Sequence, residues 1–115
     1  MIIKETVLRV IDNSGAKMAR CFMVYKKSYA SIGDIIKVSI IKATPTSKIK
    51  KGSVCKAVVV RTKKVFIRSD RSSLSFAYND IVLLNEKLEV TATRVKGIVP
   101  KEIPSNIKTI AEGVV

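Results

Sequence analysis

Ten basic residues fall between Lys42 and Arg71 (Lys42, Lys48, Lys50, Lys51, Lys56, Arg61, Lys63, Lys64, Arg68 and Arg71), against one acidic residue, Asp70. The chemistry open to them is recognition of anions. Each ammonium or guanidinium that neutralises a phosphate releases a condensed counterion, which makes association with a polyphosphate favourable and steeply salt dependent. Arginines add bidentate hydrogen bonding, and lysines act as flexible point charges. Among these charges lies Ala57-Val58-Val59-Val60, an apolar run that cannot face water on both sides as a strand. It ties its charged neighbours to a packed element, so that they form a fixed electropositive surface.

Other kinds of site are poorly supplied. The chain has no histidine, so general-base, metal-ligand and triad roles fall on scattered carboxylates, hydroxyls and thiols. Asp12, Asp34, Asp70 and Asp80 sit beside turn residues, the usual setting of structural Asx turns. Cys21 and Cys55 lie in apolar sequence without CxxC spacing and read as small buried hydrophobes, not as metal ligands or a disulfide. The five glycines form neither GxGxxG nor GxxxxGK. No enzyme activity, metal, cofactor or small-molecule substrate is expected. No apolar stretch approaches the ~18 residues of a membrane span, and no targeting extension is read before the first strand.

Composition sharpens the anion reading. The net charge is +13 on 115 residues, whereas solubility alone asks for a magnitude of about 2 to 8. Self-repulsion of that size opposes compaction unless an anionic partner relieves it. Hydrophobic content of 47% supplies a core and argues against a disordered basic tail. One domain is expected over residues 1–115.

The elements that must carry the charges are short strands. Thr6–Ile11 stops at Asp12-Asn13-Ser14-Gly15; Ala19–Tyr25 follows; Asp34–Ala43 alternates apolar and polar residues up to Pro45; Val54–Thr62 is the central strand. Val65–Arg68 and Leu74–Phe76 read as hairpin arms around Ser69–Ser73, and Ile81–Leu84 returns to the core. Such spacing indicates a mainly β fold, a small barrel with a hairpin extension. Residues 1–85 would form the core with its basic loop and hairpin, and 86–115 a C-terminal part. In that part Pro100–Val115 reads as one or two short helical turns.

On this frame the tip 46–52 presents Lys48, Lys50 and Lys51, and strand and hairpin present Arg61, Lys63, Lys64, Arg68 and Arg71 as a basic ribbon. Lys17 and Arg20 follow the first turn and are further RNA-contact candidates. Asn13, Ser14 and Gly15 could offer N–H groups and a hydroxyl to phosphate, although a tight structural turn explains them equally well. The six aromatics are dispersed, which disfavours a base-stacking platform. A free single-stranded nucleic-acid-binding barrel is the alternative, and it would need such a platform.

The segments Asp12–Lys17, Gly33-Asp34-Ile35-Ile36, Lys50-Lys51-Gly52 and Lys56–Lys64 (KAVVVRTKK) occur in one fixed order. In this the chain closely resembles the universal large-subunit ribosomal protein fourteen family, from about Val7 to Leu84. Phe76, Asn79 and Val82 continue the pattern, with a weaker echo in Thr93-Arg94 and Lys101-Glu102. It departs at Arg71, where the family usually has a hairpin glycine, and at Ala92–Ile98, where an aromatic and a proline are lost; the 26–32 connection is also short.

The resemblance implies a five-stranded barrel with a small C-terminal helical part, docked on large-subunit ribosomal RNA and touching neighbouring ribosomal proteins. It also implies a bridge to small-subunit RNA, with Arg94, Lys96 and Lys101 matching the bridging region, and docking of a ribosome silencing factor. The Ile and Lys bias fits an AT-rich genome. It suggests a divergent organellar member, in mitochondria rather than in a plastid or bacterium.

Overall fold

Strand β1 (Val7–Val10) buries Leu8 and Val10 and turns Val7 and Arg9 outward, the period-two alternation of a half-buried strand. It is followed by β2 (Ala16–Val24), β3 (Ile35–Ala43), β4 (Val54–Arg61), a short hairpin of β5 (Phe66–Ile67) and β6 (Ser73–Leu74), and β7 (Asp80–Leu84). β8 (Val95–Val99), one helical turn α1 (Ser105–Lys108) and β9 (Ala111–Val114) complete the order. The computed structural model describes residues 2–25, 28–45, 49–90 and 92–115.

Strands β1-β2-β3-β4-β7 close into a five-stranded barrel. Neighbours pair antiparallel except at the seam, where β1 and β7 run parallel through Arg9↔Asp80 and Val10↔Ile81. Leu8, Ala19, Cys21, Ile36, Val38, Ile40, Ala57, Val59, Ile81 and Leu83 belong to the first core cluster, with the alternate residues of β4 and β7 excluded from it. Those alternate residues, Val58, Val60, Val82 and Leu84, join Val95, Val99, Ile103 and Ile107 in a second cluster. The apolar run of β4 is therefore buried on both faces, by the barrel core on one side and the C-terminal segment on the other, as its composition requires. Cys21 and Cys55 are free thiols, and burial pushes both upward in pKa.

The C-terminal segment contains one of the expected helical turns and adds a strand pair that was not expected. α1 is present, with Ile107 fully buried, but β8 and β9 flank it and pair parallel with each other. The register shifts between Val95 and Ile98, at Gly97, whose φ is +81°. A glycine bulge interrupts the alternation that would have marked β8 as a strand.

The hairpin arms are shorter than expected, pairing Phe66 with Leu74 and Ile67 with Ser73. At its tip Arg71 takes the glycine-like conformation, φ +71°, while Asp70 accepts a hydrogen bond from the Ser72 amide at 3.0 Å. Arg71 thus holds a backbone conformation that a glycine adopts without strain. Arg71→Gly is accordingly expected to raise stability by about 1 kcal/mol, the cost of a non-glycine residue in the left-handed region. Urea unfolding at matched salt checks it; an unchanged or lowered midpoint would contradict the strain.

Candidate nucleic-acid interface

The seam of the barrel sets the first feature of the basic face. Asp80 opens β7 between β1 and β4, and the register places Arg9 beside it on one side and Arg61 on the other. Its carboxylate is 1% exposed and meets both guanidiniums. Arg9 donates from Nε at 2.8 Å and from a terminal nitrogen at 3.1 Å, and Arg61 Nε lies 2.8 Å from the second oxygen. Arg9 also stacks over the exposed Tyr78 ring, 3.8 Å from its centroid. The bond to Asp80 raises the pKa of Arg9. Burial lowers that of Arg61, with Asp80 opposing the change. Reading Asp80 as an Asx-turn residue is therefore corrected: its chain neighbours look turn-like, but strand pairing carries it between two cations. Asp12, Asp34 and Asp70 do accept local amide hydrogen bonds, from Ser14, Ser31 and Ser72.

Arg61 reaches further, donating to the Lys96 carbonyl of β8 at 3.0 Å. Gly97 leaves room for this approach: a Cβ there would stand 2.6 Å from an Arg61 terminal nitrogen, and the guanidinium would have to shift. Across the same region the turn after β1 is tied to the C-terminal segment. The Asn13 carboxamide donates to the Thr93 hydroxyl at 2.8 Å and accepts from the Thr93 and Arg94 amides. The buried Asp12 carboxylate accepts from the Ser14 amide and from the Leu83 amide, each within about 0.1 Å of ordinary bond length. Asn13 and Ser14 thus have structural partners, and Gly15 supplies the turn with φ +100°.

Between these ties opens a cleft of about 610 Å³ lined by Arg9, Lys17, Arg61 and Lys96, with Gly15, Thr44 and Gly97 among the uncharged residues. It gathers Lys17, Arg61 and Lys96, which sequence alone does not place together, and adds Arg9. An arginine alternating with Leu8 and Val10 reads simply as a solvent-facing position, and nothing local marks it.

The remaining basic residues divide by type. Arg20 is exposed, 3.7 Å from Glu5. Arg68 is half-buried, 3.0 Å from Glu102, and donates to the Val115 carbonyl at 2.8 Å. Lys50 and Lys51 are exposed before β4, Lys63 and Lys64 between β4 and β5, and Arg71 at the hairpin tip. Arg94, Lys96 and Lys101 are exposed around β8. Lys48 lies outside the described residues. Four arginines are thus already engaged with carboxylates, whereas Lys17, Lys50, Lys51, Lys63, Lys64 and Lys96 have no side-chain ion pair among the described residues. Free positive charge on this surface is mainly lysine charge.

Among the described residues no group of three or more Cys, Asp or Glu is arranged to hold a metal ion. What the surface can do is bind anions by charge and donor hydrogen bonds. The comparison with known families agrees with the barrel and extends over the C-terminal segment that the sequence resemblance reached only weakly. A family model described as ribosomal protein L14p/L23e matches residues 1–114, so the chain belongs to that ribosomal protein family, a structural component of the large subunit.

Proposed function

We propose that the protein binds large-subunit ribosomal RNA through its exposed lysines, helping to hold that RNA in place by charge and shape. The observation that carries the reading is a set of exposed lysines without ion-pair partners among the described residues, Lys17, Lys50, Lys51, Lys63, Lys64 and Lys96 among them, on and beside the barrel strands. Lysines on fixed elements position a phosphate backbone without reading bases. Lys50, Lys51, Lys63 and Lys64 are the principal contacts, with Lys17, Lys96 and Arg71 beside them. Arg68 acts chiefly by holding the surface in shape.

The same reading gives the protein neighbouring ribosomal proteins as partners and a share in a bridge to small-subunit RNA. Arg94, Lys96 and Lys101 would serve the bridge: all three are exposed, and Asn13 anchors the backbone of Arg94. A silencing factor docking at this face and residence in mitochondria complete the proposal, supported by family resemblance and by the Ile and Lys bias.

Filter binding of the full chain to large-subunit ribosomal RNA and to unrelated RNA of equal length tests the core of it. Preference for the ribosomal RNA is expected, with affinity falling steeply between 50 and 200 mM salt. Equal affinity for both RNAs would contradict it.

A further inference from the structure

The cleft between the turn after β1 and strand β8 has the makings of a specific anion seat. Its four cations come from four different strands: Arg9 from β1, Lys17 from β2, Arg61 from β4 and Lys96 from β8. The only carboxylate in its lining among the described residues, Asp12, is 5% exposed and already accepts from the Ser14 and Leu83 amides. Asp80 is more deeply buried and lies between the two guanidiniums. It fixes them in place and offsets only part of their charge. Two guanidiniums held by Asp80 and two exposed lysines therefore line one concave space, with no exposed carboxylate among its described lining residues.

From this convergence we propose that the cleft seats a backbone phosphate of the bound RNA. Arg9 and Arg61 form the fixed wall, and Lys17 and Lys96 close on the anion from either side. This rests on the ribosomal RNA reading and deepens it, because it singles out one receptor within a broadly basic surface. A charged phosphate fits better than a base. Among the described residues the cleft's lining holds no aromatic ring, only Val10, Ile11 and Ala16 beside its charged, glycine and small polar residues, and the face of the nearby Tyr78 is covered by Arg9. Gly97 leaves room for the Arg61 guanidinium, which would have to shift if a Cβ stood there.

The test compares three full-length proteins for binding to large-subunit ribosomal RNA over a salt series: the native chain, Lys17→Gln/Lys96→Gln, and Lys4→Gln/Lys87→Gln. The last pair removes the same charge from exposed lysines outside the cleft. The cleft variant is expected to bind about tenfold more weakly near 100 mM salt and to lose about 1 from the log–log salt slope, the signature of a lost phosphate contact. The control pair should lose much less. Circular dichroism confirms that each variant is folded, and Lys17 and Lys96 are exposed side chains without ion pairs, so folding should survive. Equal losses in the two variants, or none in either, would overturn the cleft while leaving the general RNA reading intact. Failure of the native chain to prefer ribosomal RNA would take down both.

Discussion

Replacing Asp80 with asparagine is expected to destabilise the protein by about 3 kcal/mol, the lower end of the cost of breaking a buried ion pair, and to lower the melting temperature by roughly 10 °C. Asparagine keeps the shape and an acceptor oxygen but removes the charge. Arg61, with a side chain 13% exposed, would then lie against β8 without its counter-charge. Arg9 is 43% exposed and can turn to water, so its share of the loss is smaller. The position magnifies the effect. Asp80 stands at the seam where β1 and β7 join through only two paired residues, and the Arg9–Asp80 bond spans that join. Hydrogen exchange should accordingly quicken at the amides of Arg9 and Ile11, which bond to Asn79 and Ile81 across it, before it quickens between β2 and β3. Thermal melting with amide exchange checks both parts. A melting temperature within 2 °C of the native value would show that the two arginines are not held by this charge.

The second large effect concerns binding. Converting Lys50, Lys51, Lys63 and Lys64 together to glutamine is expected to weaken ribosomal RNA binding by roughly a hundredfold or more near 100 mM salt and to reduce the salt slope by about 3. All four side chains are exposed and lack ion pairs among the described residues. Their loss removes attraction to phosphate without removing a structural contact, and unfolding midpoints should move by less than about 0.5 kcal/mol in stability. Binding across a salt series and urea unfolding on the same preparation separate the two quantities. If affinity held while stability fell, these lysines would belong to the fold and not to the interface.

Much of the barrel was legible because its strands obey a period of two and end at turn residues. Leu8 and Val10 against Arg9, or Ile36, Val38 and Ile40 against their polar neighbours, state the face directly. Val58 and Val60 announced a second covering layer, but what covers them was hidden. Strand β8 is broken by the Gly97 bulge, and its partner β9 lies beyond a helical turn, so local pattern marked neither.

The site was legible in its charge and illegible in its pairing. Lysine clusters around β4 are plain in the sequence, and the structure leaves Lys50, Lys51, Lys63 and Lys64 exposed, with Lys56 half-buried in the strand. Arg61 and Arg68 look the same as phosphate ligands there, yet their carboxylate partners come from β7 and from Glu102, which only the fold brings near. The Arg9–Asp80 pair spans 71 positions, so no short-range signal could join it. Arg71 is the converse case. The doubt that a non-glycine residue raises at a hairpin tip was visible in the sequence, and the structure gives Arg71 a positive φ there.

Sucrose-gradient sedimentation of a native lysate, with each fraction probed for this chain at moderate and at high salt, tests most directly whether the protein is held on the large subunit by its phosphates. Co-migration with large subunits and joined ribosomes at moderate salt, with release only at high salt, is the predicted result. Finding the chain only at the top of the gradient under both conditions would contradict it.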